Sequence, residues 1–151
     1  MPQSYSAVAV HIVFATKQRH PYLADPTVRA EMHAYLGGTL NALGCPIIAV
    51  GGVEDHVHLL TYLGRPVALS DCVRELKKAS TAWARGRDRR LAEFTWQTGF
   101  AAFSVSPSGI SEVKRYIGTQ EEHHRKLSFE EEFRALLKEH GIEFDEKNRW
   151  E

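Results

Sequence analysis

The spacing of hydrophobic residues predicts a strand near the start of the chain and a helix after it. From Tyr5 to Phe14 apolar side chains occupy most positions of both parities, which is typical of a strand covered on both faces. The next segment predicts a helix with Asp25 as its cap, Pro26 at its first position and Gly44 at its end.

Two β-rich runs follow, at residues 46–53 and 56–63, and a short turn with glycine and acidic residues separates them. This arrangement predicts a hairpin. Residues 69–86 predict a second amphipathic helix with a cap at Ser70, and residues 95–105 predict a fourth strand.

The C-terminal part predicts two more helices, at residues 108–127 and 128–141, the second with a capping box from Ser128 to Glu131. The order β-α-β-β-α-β with extra helices predicts an α+β fold, a ferredoxin-like split βαβ antiparallel sheet. Two helices would cover one sheet face. The many apolar side chains on the other face suggest dimerisation unless another part of the chain covers them.

Composition indicates one soluble domain over residues 1–151, since 43% of the residues are hydrophobic and 25% are charged. No apolar run approaches the length of a membrane span. Cys45 and Cys72 form no C-x-x-C motif, which favours a reducing cytoplasm and packed thiols.

Two histidines, His56 and His58, lie two positions apart on the second arm of the predicted hairpin. Alternate residues of a strand point to the same side, so these side chains could bind one metal ion. The competing interpretation is a pair of half-buried histidines satisfied by ordinary hydrogen bonds.

On the predicted helix at 108–127, Tyr116 and Gln120 are four residues apart and share one face. Three neutral ligands, His56, His58 and the Gln120 carbonyl, would leave the full charge of a divalent ion to polarise a phosphodiester. Tyr116 would then be the nucleophile, and a phosphotyrosine link would keep the energy needed to rejoin the strand. The alternative is a packed tyrosine beside a solvated glutamine.

The blocks "DHVHLL" and "VKRYIGTQEEHHRK.SFEEEF" resemble the two motif blocks of single-tyrosine HUH transposases from small bacterial insertion sequences and of REP-associated tyrosine transposases. The segments "HIVFATKQRHPYL", "FTWQTGFAAFSVSPS" and "HGIEFDEKNRW" are also similar to that family, in the same order.

This resemblance implies a DNA transposase that cleaves and rejoins single-stranded DNA at hairpin-bearing ends. It implies Tyr116 as the attacking residue and Mg²⁺ or Mn²⁺ bound by His56, His58 and Gln120. It further implies a homodimer whose active sites can be shared between subunits.

Charge is unevenly distributed, although the 19 basic and 19 acidic residues balance. The second predicted helix carries a basic stripe, and a smaller basic group follows the first strand. We predict that these residues contact the DNA backbone; they are Arg74, Lys77, Lys78, Arg85 and Arg87, with Lys17 and Arg19 in the smaller group. A solvated helix face is the alternative.

Two other functions stay open at this point. The chain could be a non-catalytic module that binds hairpins and regulates, with a structural histidine pair. It could also be a metal-dependent single-strand nuclease that uses water, for which Tyr116 would be dispensable. His11 is predicted to be a packed core residue, and no role is assigned to His123 and His124.

Overall fold

The computed structural model describes residues 3–143 and has the predicted order of elements. Its strands and α-helices are β1 (Ala9–Ala15), α1 (Pro26–Ala42), β2 (Ile47–Gly52), β3 (His56–Tyr62), α2 (Leu69–Arg87), β4 (Ala101–Val105), α3 (Ile110–Gly118), α4 (Gln120–His123) and α5 (Phe129–Glu139). The strands form one sheet in the order β2-β3-β1-β4, and all neighbours are antiparallel. The predicted ferredoxin-like α+β fold is therefore confirmed. Residues 144–151, which hold most of the transposase-like ending, lie outside the described residues.

The main core lies between the sheet and the first two helices. Every residue of β1 is buried, as the apolar pattern of both parities predicts. Ile12 and Phe14 of β1 and Leu59 of β3 pack there with Met32 of α1 and Leu76 of α2. The alternate residues of β1 and β3 are thereby directed to the opposite face.

That opposite face is covered by the C-terminal helices, so the condition on which dimerisation was expected, an uncovered apolar face, is not met. Val13 and Phe103 on the sheet pack in one cluster with Phe129, Phe133 and Leu136 of α5. The apolar stripe of α5 fills the space that a second subunit was expected to fill. The sheet face consequently gives no support to dimerisation.

The helix ends are partly as predicted. Asp25 caps α1 by accepting a hydrogen bond from the Thr27 amide at 2.8 Å, and α5 begins with the predicted capping box of Ser128 and Glu131. The cap predicted at Ser70 is wrong, because Ala68 occupies the N-cap position of α2 and offers no side-chain hydrogen bond.

Two long predicted elements are interrupted. Of the predicted strand at 95–105, only the part from Ala101 onward forms β4. Before it, the chain makes an isolated bridge between Trp96 and Thr16. The predicted helix at 108–127 breaks at Thr119, whose φ of −112° and ψ of 24° depart from helical values. Gly118 precedes the break and lowers the helical preference there.

The sequence Gly51–Gly52 at the end of β2 allows α3 to approach the sheet. A Cβ atom at Gly51 would lie 2.3 Å from the Ile117 carbonyl oxygen, so only glycine fits without movement. Ile117 is the neighbour of Tyr116, and this contact therefore sets the distance of the tyrosine from β3.

None of the helices in the described part of the chain combines the length and the apolar character needed to cross a lipid bilayer.

Candidate active site

The two histidines of β3 lie side by side on the face covered by the C-terminal helices. His56 and His58 are both fully buried, and their ring centroids are 5.2 Å apart. Their separation by one residue puts them on the same side of the strand. The pair is thus held on a rigid inner strand of the sheet.

A different residue holds the Nδ1 atom of each histidine. His56 Nδ1 lies 2.7 Å from Asp55 Oδ1, and His58 Nδ1 lies 2.8 Å from His11 Nε2. Both Nε2 atoms are then directed to the C-terminal helices. Such contacts fix the orientation of imidazole rings that bind metals.

Glu132 on α5 lies where these Nε2 atoms meet, and its side chain is 1% exposed. Its Oε1 atom is 3.0 Å from His58 Nε2 and 3.4 Å from His56 Nε2. His124 Nε2 lies 3.1 Å from the same oxygen, but without hydrogen-bond geometry. A buried carboxylate that contacts several imidazole rings is a candidate functional residue, because charged and titratable groups in such surroundings cluster at functional sites.

Glu132 was not predicted from the sequence, because it lies in a run of three acidic residues at the start of a helix, which is typical of a solvated first turn. One signal could have identified it. Phe129, Glu132, Phe133 and Leu136 follow the spacing of a single helix face, so the glutamate occupies a core position between apolar residues.

Tyr116 and Gln120 reach the same carboxylate from α3 and α4. The Tyr116 hydroxyl donates a short hydrogen bond to Glu132 Oε2, and Gln120 Nε2 donates to the same oxygen at 3.0 Å. Gln120 Oε1 lies 3.1 Å from His56 Nε2. The break at Thr119 therefore does not separate the two residues that were expected to share one face.

The electrostatics of the histidines differ. Burial lowers the pKa of His56, but its hydrogen bonds with Asp55 and Glu132 outweigh burial and raise the pKa to about 9. For His58 burial prevails over the neighbouring Glu132 and lowers the pKa. His56 is therefore the cationic member of the pair at neutral pH, and His58 is the neutral member.

The two acids at the centre are shifted in opposite directions. Burial acts to raise the pKa of Glu132, but the neighbouring imidazole rings of His124, His56 and His58 outweigh burial and hold the pKa far below its usual range. Burial and the hydrogen bond with Glu132 raise the pKa of Tyr116 well above its usual range. This arrangement holds the phenolic proton on Tyr116.

A divalent ion fits this donor set. One ligand atom from each of His56, His58 and Glu132 lies within 4.8 Å of the others, and Gln120 Oε1 is adjacent to them. Imidazole nitrogen with carboxylate or amide oxygen suits Mn²⁺ and related ions, whereas Mg²⁺ prefers oxygen. The group could therefore bind a divalent metal.

The remaining histidines of the second motif block lie at the edge of the site. The His123 ring is 4.7 Å from the Tyr116 ring, and its Nε2 atom is 3.0 Å from Thr119 Oγ1. The His124 ring is 4.5 Å from the His56 ring. Both therefore pack against residues of the candidate site.

Of the basic residues proposed for DNA, Lys77 is already used inside the fold. Its ammonium donates to the carbonyl oxygens of Gln97, Thr98 and Gly99 at 2.8, 3.3 and 2.7 Å, and it lies 5.3 Å from the centre of the Phe14 ring. Three carbonyl partners leave Lys77 poorly placed to bind a phosphate group.

The other predicted DNA contacts lie at the surface in varied settings. Arg74 pairs with Asp71 at 3.0 Å, and Arg87 pairs with Glu31 at 2.7 Å. Exposed pairs of this kind are weak enough to be exchanged for phosphates. Arg85 and Lys78 border a shallow groove between α2 and the segment at 95–97, and Lys17 and Arg19 lie in the turn after β1.

The comparisons with known proteins point to transposases. The profile of the family described as "Transposase IS200 like" matches residues 4–120. The ISDra2 transposase TnpA of Deinococcus radiodurans is 25% identical over 115 residues, which are 73% of this chain and 81% of that protein.

Two solved structures share the fold. A chain from Deinococcus radiodurans R1, provisionally assigned as a transposase, is similar with a TM-score of 0.61 and 24% identity, over 80% of this chain and 96% of that one. A REP-associated tyrosine transposase bound to a REP hairpin is similar with a TM-score of 0.59 and 18% identity, over 82% of this chain and 73% of that one.

The fold and the extent of the profile match define a tyrosine transposase, and the chain belongs to the IS200-like transposase family. The family resemblance predicted from the motif blocks is thereby confirmed. Membership implies an enzyme that cleaves and transfers DNA.

Proposed function

We propose that this chain, as a single domain over residues 1–151, cleaves and rejoins single-stranded DNA at hairpin-bearing ends through a covalent 5′-phosphotyrosine on Tyr116. One observation carries the proposal: Tyr116, Gln120 and His58 form hydrogen bonds with the carboxylate of Glu132, and His56 Nε2 lies 3.4 Å from it. A nucleophile and a metal-binding group that meet at one buried point suit phosphoryl transfer better than simple binding.

The ligands proposed for the metal are His56, His58 and Gln120, and the proximity of the Glu132 carboxylate to the two histidines supports it as a further oxygen ligand. A bound Mg²⁺ or Mn²⁺ ion would polarise the phosphodiester and stabilise the charge that develops on its oxygens. Asp55 and His11 would keep the two imidazole rings in position for it.

Tyr116 performs the chemical step in this proposal. Its oxygen forms a bond to phosphorus while the bond to the 3′ oxygen breaks, so a 3′ hydroxyl is released. The phenolic proton leaves along the existing hydrogen bond to Glu132 Oε2 as the bond to phosphorus forms, and Glu132 passes it through water to the departing 3′ oxygen, so that the carboxylate is ionised again. Attack of another 3′ hydroxyl on the phosphotyrosine reverses these bond changes and joins the new strand.

The partner proposed for the chain is single-stranded DNA with hairpins. The solved structure of a relative with a REP hairpin supports this choice. Arg74, Lys78, Arg85, Arg87, Lys17 and Arg19 are proposed to contact phosphates. Lys77 is not included among the proposed phosphate contacts, because its ammonium already donates to three carbonyl groups.

We also propose that the protein is a cytoplasmic homodimer, on the basis of the family resemblance. The contact of Tyr116 with the histidines of its own chain favours a site completed in cis. A shared site would need α3 to leave this contact, and the break at Thr119 gives it a point at which to bend.

The test uses the protein with Mn²⁺ and a pool of labelled single-stranded oligonucleotides that carry hairpins with randomised flanks. We expect a labelled protein band on a denaturing gel, which disappears with chelator and with Tyr116→Phe. Tyr35→Phe is the matched control, because Tyr35 packs on Trp83, away from the site. Cleavage by Tyr116→Phe without an adduct would instead establish a nuclease, and binding without cleavage would establish a regulatory module.

A further inference from the structure

His58 is contacted at its Nδ1 atom by another histidine, His11. His11 on β1 is 3% exposed, and its Nε2 atom is 2.8 Å from His58 Nδ1. His11 pairs across the sheet with Leu60, which shares a strand face with His58. Both ring nitrogens of His58 are therefore engaged, Nδ1 by His11 and Nε2 by Glu132.

The residue that contacts Nδ1 of His58 differs chemically from the residue that contacts Nδ1 of His56. Asp55, at His56 Nδ1, can only accept a hydrogen bond when ionised. A neutral imidazole donates with one nitrogen and accepts with the other, and its tautomer decides which. His11 can therefore meet His58 Nδ1 either as a donor or as an acceptor.

Without a metal ion, the surroundings select one of these arrangements. The Glu132 carboxylate accepts from His58 Nε2 at 3.0 Å, so that nitrogen carries the hydrogen. Neutral His58 then has a bare Nδ1 atom, which accepts from His11 Nε2.

A ligand role for His58 requires the reverse arrangement, because a nitrogen that binds a metal cannot carry a hydrogen. We propose that His11 is a positioning residue for His58, and that the two rings exchange tautomers together when His58 Nε2 becomes a metal ligand. This inference rests on the metal site of the proposed function.

The exchange leaves the charge of the pair unchanged. The proton on His58 Nε2 leaves to water, the proton on His11 Nε2 moves to His58 Nδ1, and water returns a proton to His11 Nδ1. His11 borders a cleft of about 310 Å³ that Tyr116, Glu139 and His140 also line, and water there can supply that proton. After the exchange, His58 Nδ1 donates to His11 Nε2 and the ring keeps its orientation.

The test is ¹⁵N nuclear magnetic resonance of the histidine side chains in the full chain, first without metal and then with Zn²⁺, which is diamagnetic and accepts histidine and carboxylate ligands. We expect His58 and His11 to carry their hydrogens on Nε2 without metal, and both to carry them on Nδ1 with Zn²⁺. An unchanged His11 tautomer, or a His58 ring already protonated on Nδ1 without metal, would overturn the proposal.

Two substitutions separate positioning from packing. His11→Gln keeps a side chain that can donate or accept, whereas His11→Phe keeps a ring that can do neither. By calorimetry we expect Mn²⁺ affinity within about threefold of wild type for His11→Gln and lower by about 10- to 100-fold for His11→Phe. The control is His140→Gln, which changes the same cleft without touching His58. Equal affinity for His11→Phe and wild type would contradict the proposal.

This design distinguishes failure of the inference from failure of the proposed function. If the wild-type protein binds neither Mn²⁺ nor Zn²⁺, the metal site itself is refuted, and the inference fails with it. If the metal binds and the His11 tautomer stays fixed, only the inference fails. The wild-type spectra decide this even if His11→Phe does not fold.

Discussion

The Tyr116 hydroxyl donates a hydrogen bond to the Glu132 carboxylate, which also accepts from Gln120 and His58. The proposed nucleophile is thus bonded directly to a residue twelve positions beyond the last residue of the family profile match. The carboxylate links the tyrosine helix to the histidine strand, and its removal should affect both stability and metal binding.

Glu132→Gln should destabilise the metal-free protein by about 3 to 5 kcal/mol, because it takes from the buried cationic His56 one of its two carboxylate partners and removes the acceptor shared by Tyr116, Gln120 and His58. Urea unfolding at pH 7 measures this change. The matched control is Glu130→Gln, which loses only a partly exposed pair with Arg134 and should cost less than about 1 kcal/mol. Similar losses in the two variants would contradict the central role of Glu132.

Stability should fall in acid because of His33. Burial, and then Arg29, lower the pKa of His33 to about 4, so the unfolded chain binds the proton more readily than the folded one. This loss of stability is absent above about pH 6.5 and grows as the pH falls towards 4, by up to about 1.4 kcal/mol per pH unit. Denaturant unfolding at pH 7.5, 5.5 and 4.5 should show a shallower pH dependence for His33→Gln. His20→Gln, an exposed histidine, serves as the control and should keep the wild-type slope.

Gly51→Ala should displace the tyrosine helix, because the added methyl group would meet the Ile117 carbonyl oxygen at 2.3 Å. We expect a loss of about 1 to 3 kcal/mol in unfolding free energy and at least a tenfold (~1.4 kcal/mol) slower formation of the Tyr116 adduct. The matched control is Gly38→Ala, where a Cβ meets no atom within 4 Å and helical preference should improve stability slightly. The displacement is ruled out if Gly51→Ala forms the adduct at the wild-type rate.

Metal binding should release about one proton per ion at pH 7.5, since His56 must lose the proton that its pKa of about 9 retains. Apparent Mn²⁺ affinity should therefore rise with pH up to that value. Calorimetry in buffers of different ionisation enthalpy measures the released protons. Asp55→Asn removes one of the two carboxylates that raise this pKa, and it should release a smaller fraction of a proton.

Lys77 and Lys78 should have opposite effects on folding and DNA binding. Lys77→Met should lower stability, because three backbone carbonyls lose their donor. Lys78→Met should leave stability near wild type, weaken hairpin binding and reduce its salt dependence by about one phosphate contact. Filter binding at several salt concentrations, with unfolding curves for both variants, tests the pair. If the two variants lose DNA affinity equally, Lys77 also contacts the DNA.

The elements and the histidine pair were predictable because each leaves a local pattern in the sequence. The alternation in β3 places His56 and His58 on one face, and the caps of α1 and α5 are set by adjacent residues. The predicted cap of α2 was wrong because Ala68, two residues before Ser70, occupies the N-cap position, so that Ser70 lies inside the helix.

The features that escaped prediction depend on contacts between distant parts of the chain. Glu132 looks like a surface residue of a helix start until α5 is packed on the sheet, and Lys77 looks like part of a basic stripe until the segment at 97–99 surrounds it. The length of the α3 helix was overestimated because helical spacing continues through Thr119. Local patterns identify the chemistry of a residue more readily than its environment.

The packing of α5 on the sheet joins two roles that many enzymes assign to separate parts. The same helix shields apolar side chains and carries the carboxylate that bonds to Tyr116. A chimera that exchanges this C-terminal segment between relatives would therefore transplant part of the proposed reaction centre along with the cover of the sheet. Natural divergence in the segment can alter catalysis even where the motifs of the histidines and the tyrosine stay the same.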